Sequence, residues 1–149
     1  MYITEYIIHQ HNAIRAGKHY DLRIKYKNKN ALASFALPKA KFPSVGERLL
    51  VVRTPDHGVS WLGPHAPIPE GNYGAGTFDV VQSGDMMVYG WSNKLITFSI
   101  KGKKINGKFT IVKTNYGKKR GRGMSGDYWL LIRNKDTLAE SIILDILGR

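Results

Sequence analysis

Between residues 9 and 26 the chain reads HQHNAIRAGKHYDLRIKY, a stretch that holds three of its five histidines. From His19 to Tyr26 polar and apolar residues alternate without a break, the pattern of a half-buried strand. Successive strand side chains point to opposite faces. His19, Asp21, Arg23 and Lys25 therefore share one face, and Tyr20, Leu22, Ile24 and Tyr26 share the other, apolar one. His9 and His11 stand two apart and share a face in the same way. If the two strands pair, two imidazoles and a carboxylate can converge within metal-binding distance. Such a donor set suits a borderline divalent ion such as Mn²⁺, Zn²⁺ or Fe²⁺, with positions left open for water or substrate. Arg23 cannot be a ligand beside a cation, but its planar fork suits a phosphate held there. His57, in Arg53-Thr-Pro-Asp-His57, follows another strand, and a loop there could deliver it as a polar contact or as an acid for a leaving group. Asp56 beside it could orient the ring.

Other marked residues read as structural. Ile68-Pro-Glu-Gly-Asn-Tyr-Gly-Ala-Gly76 matches neither a P-loop nor a dinucleotide fingerprint, so it is read as a tight turn into the next strand. His65, flanked by prolines, is read as structural, and Lys39, after Leu37-Pro38, as a surface lysine.

These side chains need a frame. Strand patterns recur over 2–9, 19–26, 31–37, 48–54, 76–82, 94–101, 108–114 and 128–133. Between them stand turn signals at Lys27–Asn30, Ser83–Asp85, Gly102–Gly107 and Gly121–Gly123, and Lys94 to Lys113 reads as a hairpin. Many short strands with glycine-rich turns indicate an all-β sandwich or barrel. A closed or nearly closed barrel of about eight strands, which leaves no edge, is expected. Residues 14–18 could add a turn of helix. Over 136–149 Thr137-Leu-Ala-Glu140 has the form of a capping box. Leu138, Ile142 and Ile146 follow as an apolar stripe that should dock on the body or on a partner domain.

At 149 residues the chain fits a single domain, 1–149, which buries roughly two thirds of its extended-chain surface. It has no cysteine, which excludes disulfides and thiolate metal sites. No run reaches the ~18 apolar residues of a membrane span, and the N-terminus does not have the form of a signal peptide. A cytoplasmic, nucleoid-associated location is the expectation. Lys and Arg number 23 against 11 acids, a net charge of +12. Residues 101–126 carry nine Lys or Arg and no acid, including the run Lys118–Arg122. A field of that sign attracts polyanions, and nucleic acid is the expected partner rather than an anionic membrane surface, since no basic amphipathic helix is present.

In one order, His11, His19-Tyr-Asp-Leu-Arg23, Ala36-Leu-Pro-Lys39, Arg53-Thr-Pro-Asp-His57, Ile68-Pro-Glu-Gly-Asn-Tyr-Gly-Ala-Gly76 and Trp129-Leu-Leu-Ile132 resemble the 3′-phosphoesterase domain of bacterial DNA ligase D and its stand-alone relatives. The resemblance covers roughly residues 5–135. It implies a compact β-barrel enzyme that uses a divalent metal, typically Mn²⁺, to trim DNA or RNA–DNA primer-template 3′ ends in break repair. A terminal ribonucleoside and then the 3′-phosphate are removed, leaving a 3′-hydroxyl. Carried over by position, His11, His19 and Asp21 are the metal ligands, Arg23 and His57 contact the scissile phosphate, and Lys39 is a functional lysine. Seven residues separate His11 from His19, where the family usually has five. His9 fills a slot commonly held by glutamine. Leu49 stands where a phosphate-binding arginine is usual, so Arg48 or Arg53 is expected to substitute. Pro55 replaces an acidic residue, and Trp61 replaces a tyrosine, keeping a ring but losing the hydroxyl. His9, Arg15, Arg48, Arg53 and Trp61 are the substrate-binding candidates. A DNA ligase or repair polymerase is a conceivable partner, no membrane is involved, and a monomer is expected.

Two other classes fit parts of the pattern. His19, Asp21 and a distal His57 also match the two-His-one-carboxylate triad of non-haem iron oxygenases. A non-catalytic nucleic-acid-binding barrel could stack bases on Tyr73, Tyr89 and Trp91.

Overall fold

A computed structural model describes residues 1–115, 126–135 and 138–148. Strands β1 (Tyr2–Ala13) and β2 (Gly17–Lys25) form the first hairpin, followed by β3 (Leu32–Leu37) and β4 (Arg48–His57). A short 3₁₀ helix, Val59–Leu62, precedes β5 (Gly76–Trp91), β6 (Leu95–Lys101), β7 (Asn106–Lys113), β8 (Asp127–Arg133) and helix α1 (Leu138–Leu147). All strand neighbours are antiparallel and the sheet closes in the order β1-β2-β3-β4-β8-β7-β6-β5. The expected eight-stranded barrel is what forms.

Alternation sorts each strand into an inner and an outer row. Tyr6 and Ile8 of β1, Leu22 and Ile24 of β2, Phe35 of β3 and Val51 of β4 meet Phe98, Phe109 and Trp129 in one buried core. Full burial of such side chains contributes about 1.5–3 kcal/mol each. The alternate row of β1 and β2, with His9, His11, His19, Asp21 and Arg23, faces outward. Outward does not mean wet here. Ile7, His9 and Ser34 are fully buried, and the β4–β5 connection covers His9, whose ring meets the Gly63 carbonyl and Trp61.

Three local expectations change. The 14–18 segment is a hairpin turn rather than helix: Ala13 pairs with Gly17, whose φ of 73° is the left-handed position that closes a three-residue loop. Ser83-Gly-Asp85 is no turn, since β5 runs straight through it, pairing with β1 from Tyr2 to Ala13 with a bulge opposite Ile8 and His9. The stripe on α1 faces solvent, with Ile142 53% and Ile146 58% exposed. Among its described side chains Ile143 and Leu147 are half-buried, and the helix lies against β5, β6 and β7. The basic run Lys118–Arg122, Thr137 of the capping box and the side chains of Leu138 and Glu140 lie outside the described residues.

Candidate metal centre and its cavity

His11 and His19 are direct partners across the β1–β2 hairpin, and Asp21 follows two residues along the same face. The two residues beyond the usual spacing are absorbed by the hairpin arms and the turn, so the imidazoles still meet. His11 Nδ1 lies 3.2 Å from His19 Nε2. Asp21 Oδ1 lies 3.3 Å from His19 Nε2, and its Oδ2 3.6 Å from His11 Nδ1. The far nitrogen of each ring donates to a backbone carbonyl, His11 Nε2 to Gly74 at 2.9 Å and His19 Nδ1 to Gly17 at 3.2 Å. These bonds fix the ring orientations and turn Nδ1 of His11 and Nε2 of His19 toward one point, as outer partners do at metal sites. Phe78 stacks on His11 at 4.1 Å and holds its plane.

Three donors aimed at one point repel unless a cation or a proton sits among them. The hydrogen bond to Asp21 raises the His19 pKa, whereas burial pushes His11 down. Burial by itself would raise Asp21, but the His19 hydrogen bond and the charges of Arg23, His19 and His11 outweigh it and hold the carboxyl below its usual range. The chemistry of the set, two imidazole nitrogens and a carboxylate within 4.8 Å of one another, fits a borderline divalent ion. Among the described residues this is the one such cluster, and His57 is not part of it. The oxygenase triad is therefore not assembled.

Arg23 sits beside the cluster, 3% exposed. Its Nη2 lies 3.5 Å from Asp21 Oδ2, and Nη1 donates to His9 Nδ1 at 3.0 Å. Its guanidinium lies 4.5 Å over the Trp61 ring, and Trp61 stacks in turn on His65 at 3.6 Å. Arg23 Nε and Ser34 Oγ are the buried polar side-chain atoms left without a partner among the described residues, and the two residues are neighbours across β2 and β3. An unpaired buried polar atom costs about 1–3 kcal/mol. His57 donates Nδ1–H to Pro55 O at 2.8 Å, which leaves Nε2 as an acceptor. Burial, then the Arg23 charge, lowers its pKa, so it is neutral at pH 7 rather than the ready-made acid expected from sequence.

A cavity of about 860 Å³ opens over these groups, lined by His11, His19, Asp21, Arg23, His57 and Trp61, with Arg15 at its hairpin side. Other candidates lie elsewhere. His9 is fully buried behind Arg23, with Nε2 donating to Gly63 O at 2.9 Å and Nδ1 holding the arginine. Arg53 shares the inner row with Leu49 and Val51, over Phe35 and Trp129, and donates to the Tyr26 hydroxyl at 2.7 Å. Arg48 faces outward at the far end of β4, roughly 20 Å of strand from Thr54. Neither Arg48 nor Arg53 lines the cavity. Lys39 is exposed on the turn after β3, next to Pro38 of the cavity wall. Sequence reasoning missed the other wall. Residues 68–75 supply the Gly74 carbonyl and set Glu70 and Tyr73 at the opening, and glycine density was their one signal.

A family model for the DNA ligase D 3′-phosphoesterase domain matches residues 9–113. The chain belongs to this family. The match takes in the cavity-lining residues named above, which fall between His11 and Phe78. Among similar proteins, the multifunctional non-homologous end joining protein LigD of Mycolicibacterium smegmatis is 31% identical over 143 residues, 89% of this chain and 17% of the relative. LigD of Pseudomonas aeruginosa is 28% identical over 145 residues, 94% of this chain and 16% of the relative. The multifunctional non-homologous end joining DNA repair protein LigD of Mycobacterium tuberculosis is 28% identical over 135 residues, covering 88% and 16%. The chain thus spans about a sixth of the length of the curated relatives it matches.

Proposed function

We propose that this phosphoesterase-family chain processes DNA 3′ ends in repair, removing terminal ribonucleosides, 3′-phosphates or both, with Mn²⁺ as its metal. The observation that carries this reading is the three-donor cluster directly beside a buried arginine at one cavity. His11, His19 and Asp21 would hold a divalent cation, which when bound would supply Lewis-acid polarisation of a phosphoryl oxygen. Arg23, fixed by Asp21, His9 and Trp61, meets the negative charge that grows on the phosphoryl group. His57, its Nδ1–H held on Pro55, takes a proton from the attacking water at Nε2 and returns it to the leaving oxygen as the P–O bond breaks. Arg15 at the opening contacts the flanking phosphate. Hydrolysis of the last diester releases the ribonucleoside and leaves a 3′-phosphate, and hydrolysis of that monoester leaves the 3′-hydroxyl that a polymerase or ligase consumes.

The test uses 5′-labelled primer-templates ending in a single ribonucleotide or in a 3′-phosphate, with Mn²⁺ or EDTA. Manganese-dependent shortening or phosphate release, lost in His19→Ala, is the expected result. Product formation unaffected by EDTA sinks the reading. Ribonucleoside release that stalls at the phosphate assigns the block to Trp61, which lacks a hydroxyl.

A further inference from the structure

Strand β2 separates two cavities. His19 and Asp21 face the larger one, and Tyr20 between them faces the other side. There a second cavity of about 260 Å³ lies at the barrel mouth, lined by Tyr20, Phe42, Phe109, Lys41, Lys104 and Asn106. Its size falls just under the ~300 Å³ at which drug-sized sites begin, which suits a single nucleoside.

The β3–β4 turn joins the two. Leu37 O accepts from Ala40 N at 3.0 Å, closing a four-residue turn with proline in its second position, where the fixed φ belongs. Pro38 lines the first cavity, and Ala40 and Lys41 line the second. Lys39 stands exposed between them. Two residues span at most about 7 Å, close to one nucleotide step along a strand. Ala40 is the one non-glycine with positive φ among the described residues, at 50°, an uncommon conformation held at the divide.

The lining chemistry matches a nucleotide. Tyr20 and Phe42 are half-buried rings, and Phe42 is braced edge-on by Phe109 at 5.2 Å. Such platforms accept any base. Glu47 pins Lys41 at the rim at 3.1 Å. Lys104 is exposed, while its backbone N–H donates to Gln82 Oε1 at 3.1 Å and fixes the β6–β7 turn that carries it. Three lysines, 39, 41 and 104, face one acid there, leaving a local surplus that suits a phosphodiester.

We infer that the barrel-mouth cavity between the β3–β4 and β6–β7 turns is a second subsite, which binds the nucleotide preceding the processed 3′ end. Its base stacks on Tyr20 and Phe42, the scissile phosphate stays at the metal cluster on the far side of the Lys39 turn, and the phosphate on the nucleotide's 5′ side lies toward Lys104. This subsite rests on the 3′-end-processing reading, but its test does not require turnover. The full chain, without added metal, is irradiated with an oligonucleotide bearing 5-iodouracil at the penultimate position, and the adduct is mapped. Attachment to Tyr20 or Phe42 supports the subsite, and attachment only elsewhere, or none, overturns it. In Lys104→Glu the adduct yield falls about tenfold, and KM for ribonucleotide-ended strands rises by a similar factor with kcat unchanged. Equal yield and equal KM overturn the proposal even if cleavage proceeds. Crosslinking at the mouth by a protein that cleaves nothing upholds the subsite and overturns the catalytic reading instead.

Discussion

The Asp21 carboxylate 3.3 Å away raises the His19 pKa, so a metal competes there with a more tightly held proton. A raised histidine pKa contributes stability that is full below its ordinary 6.5 and lost as pH climbs through the raised value. The lowered carboxyl of Asp21 works at the other end, stabilising above its ordinary 3.8 and failing as pH falls through its lowered value. Thermal stability in EDTA should therefore fall as pH rises above 6.5, while the stabilisation added by Mn²⁺ grows over the same interval as the competing proton leaves. His19→Ala should flatten both trends, and an unchanged Mn²⁺ effect in that variant refutes the assignment. Trp61 covers Arg23 at 4.5 Å, a contact worth about 0.5–2 kcal/mol. Trp61→Ala should thus lower kcat/KM about tenfold with little change in Tm, since the ring is half-exposed, and Trp61→Phe should recover most of the loss. Much at this scale was legible from alternation alone. His11, His19, Asp21 and Arg23 fall on one face because a strand has a period of two. The same rule, applied to Leu49 and Val51, puts Arg53 on the inner row of the barrel.

Among the elements, the segment 68–76 positions one wall of the site through a few backbone contacts. Ile68 and Gly76 exchange hydrogen bonds of 2.9 Å in both directions. A Cβ on Gly76, at φ 140°, would stand 2.2 Å from Asn12 O and 2.9 Å from Ala13 Cα. Neither contact can yield without parting β1 from β5. Gly76→Ala should therefore cost more than about 2 kcal/mol in urea unfolding and weaken Mn²⁺ binding, because the Gly74 carbonyl on His11 shifts with it. Full stability with intact binding in that variant removes the segment from the site. Ile142→Glu on α1 should change stability by no more than about 0.5 kcal/mol, as the residue is 53% exposed. Periodicity revealed the eight strands, but 58–75 has none, and its course depends on bonds to strands far off in sequence. Gly84 inside β5 looked like punctuation because glycine marks turns more often than it marks long paired strands.

For the molecule as a whole, the charge of +12 predicts DNA affinity that falls with salt. With three phosphates engaged, the loss between ~50 and ~200 mM salt should be about 10- to 100-fold. Fluorescence anisotropy with a labelled primer-template measures it, and a salt-independent Kd contradicts nucleic-acid binding by this basic surface. The closed barrel leaves no unpaired edge among its eight strands, so it does not depend on the site for its integrity. Along β2 from His19 to Ile24, the core residues Leu22 and Ile24 alternate with His19, Asp21 and Arg23 of the site. The wall therefore behaves as two interleaved inheritances that can drift separately. A chain with His11, His19 and Asp21 all changed to alanine should still close its barrel around Leu22, Ile24 and Phe35. Such a shell, stripped of its donors, would be a blank onto which selection or a designer could write a different ligand set at the same three positions.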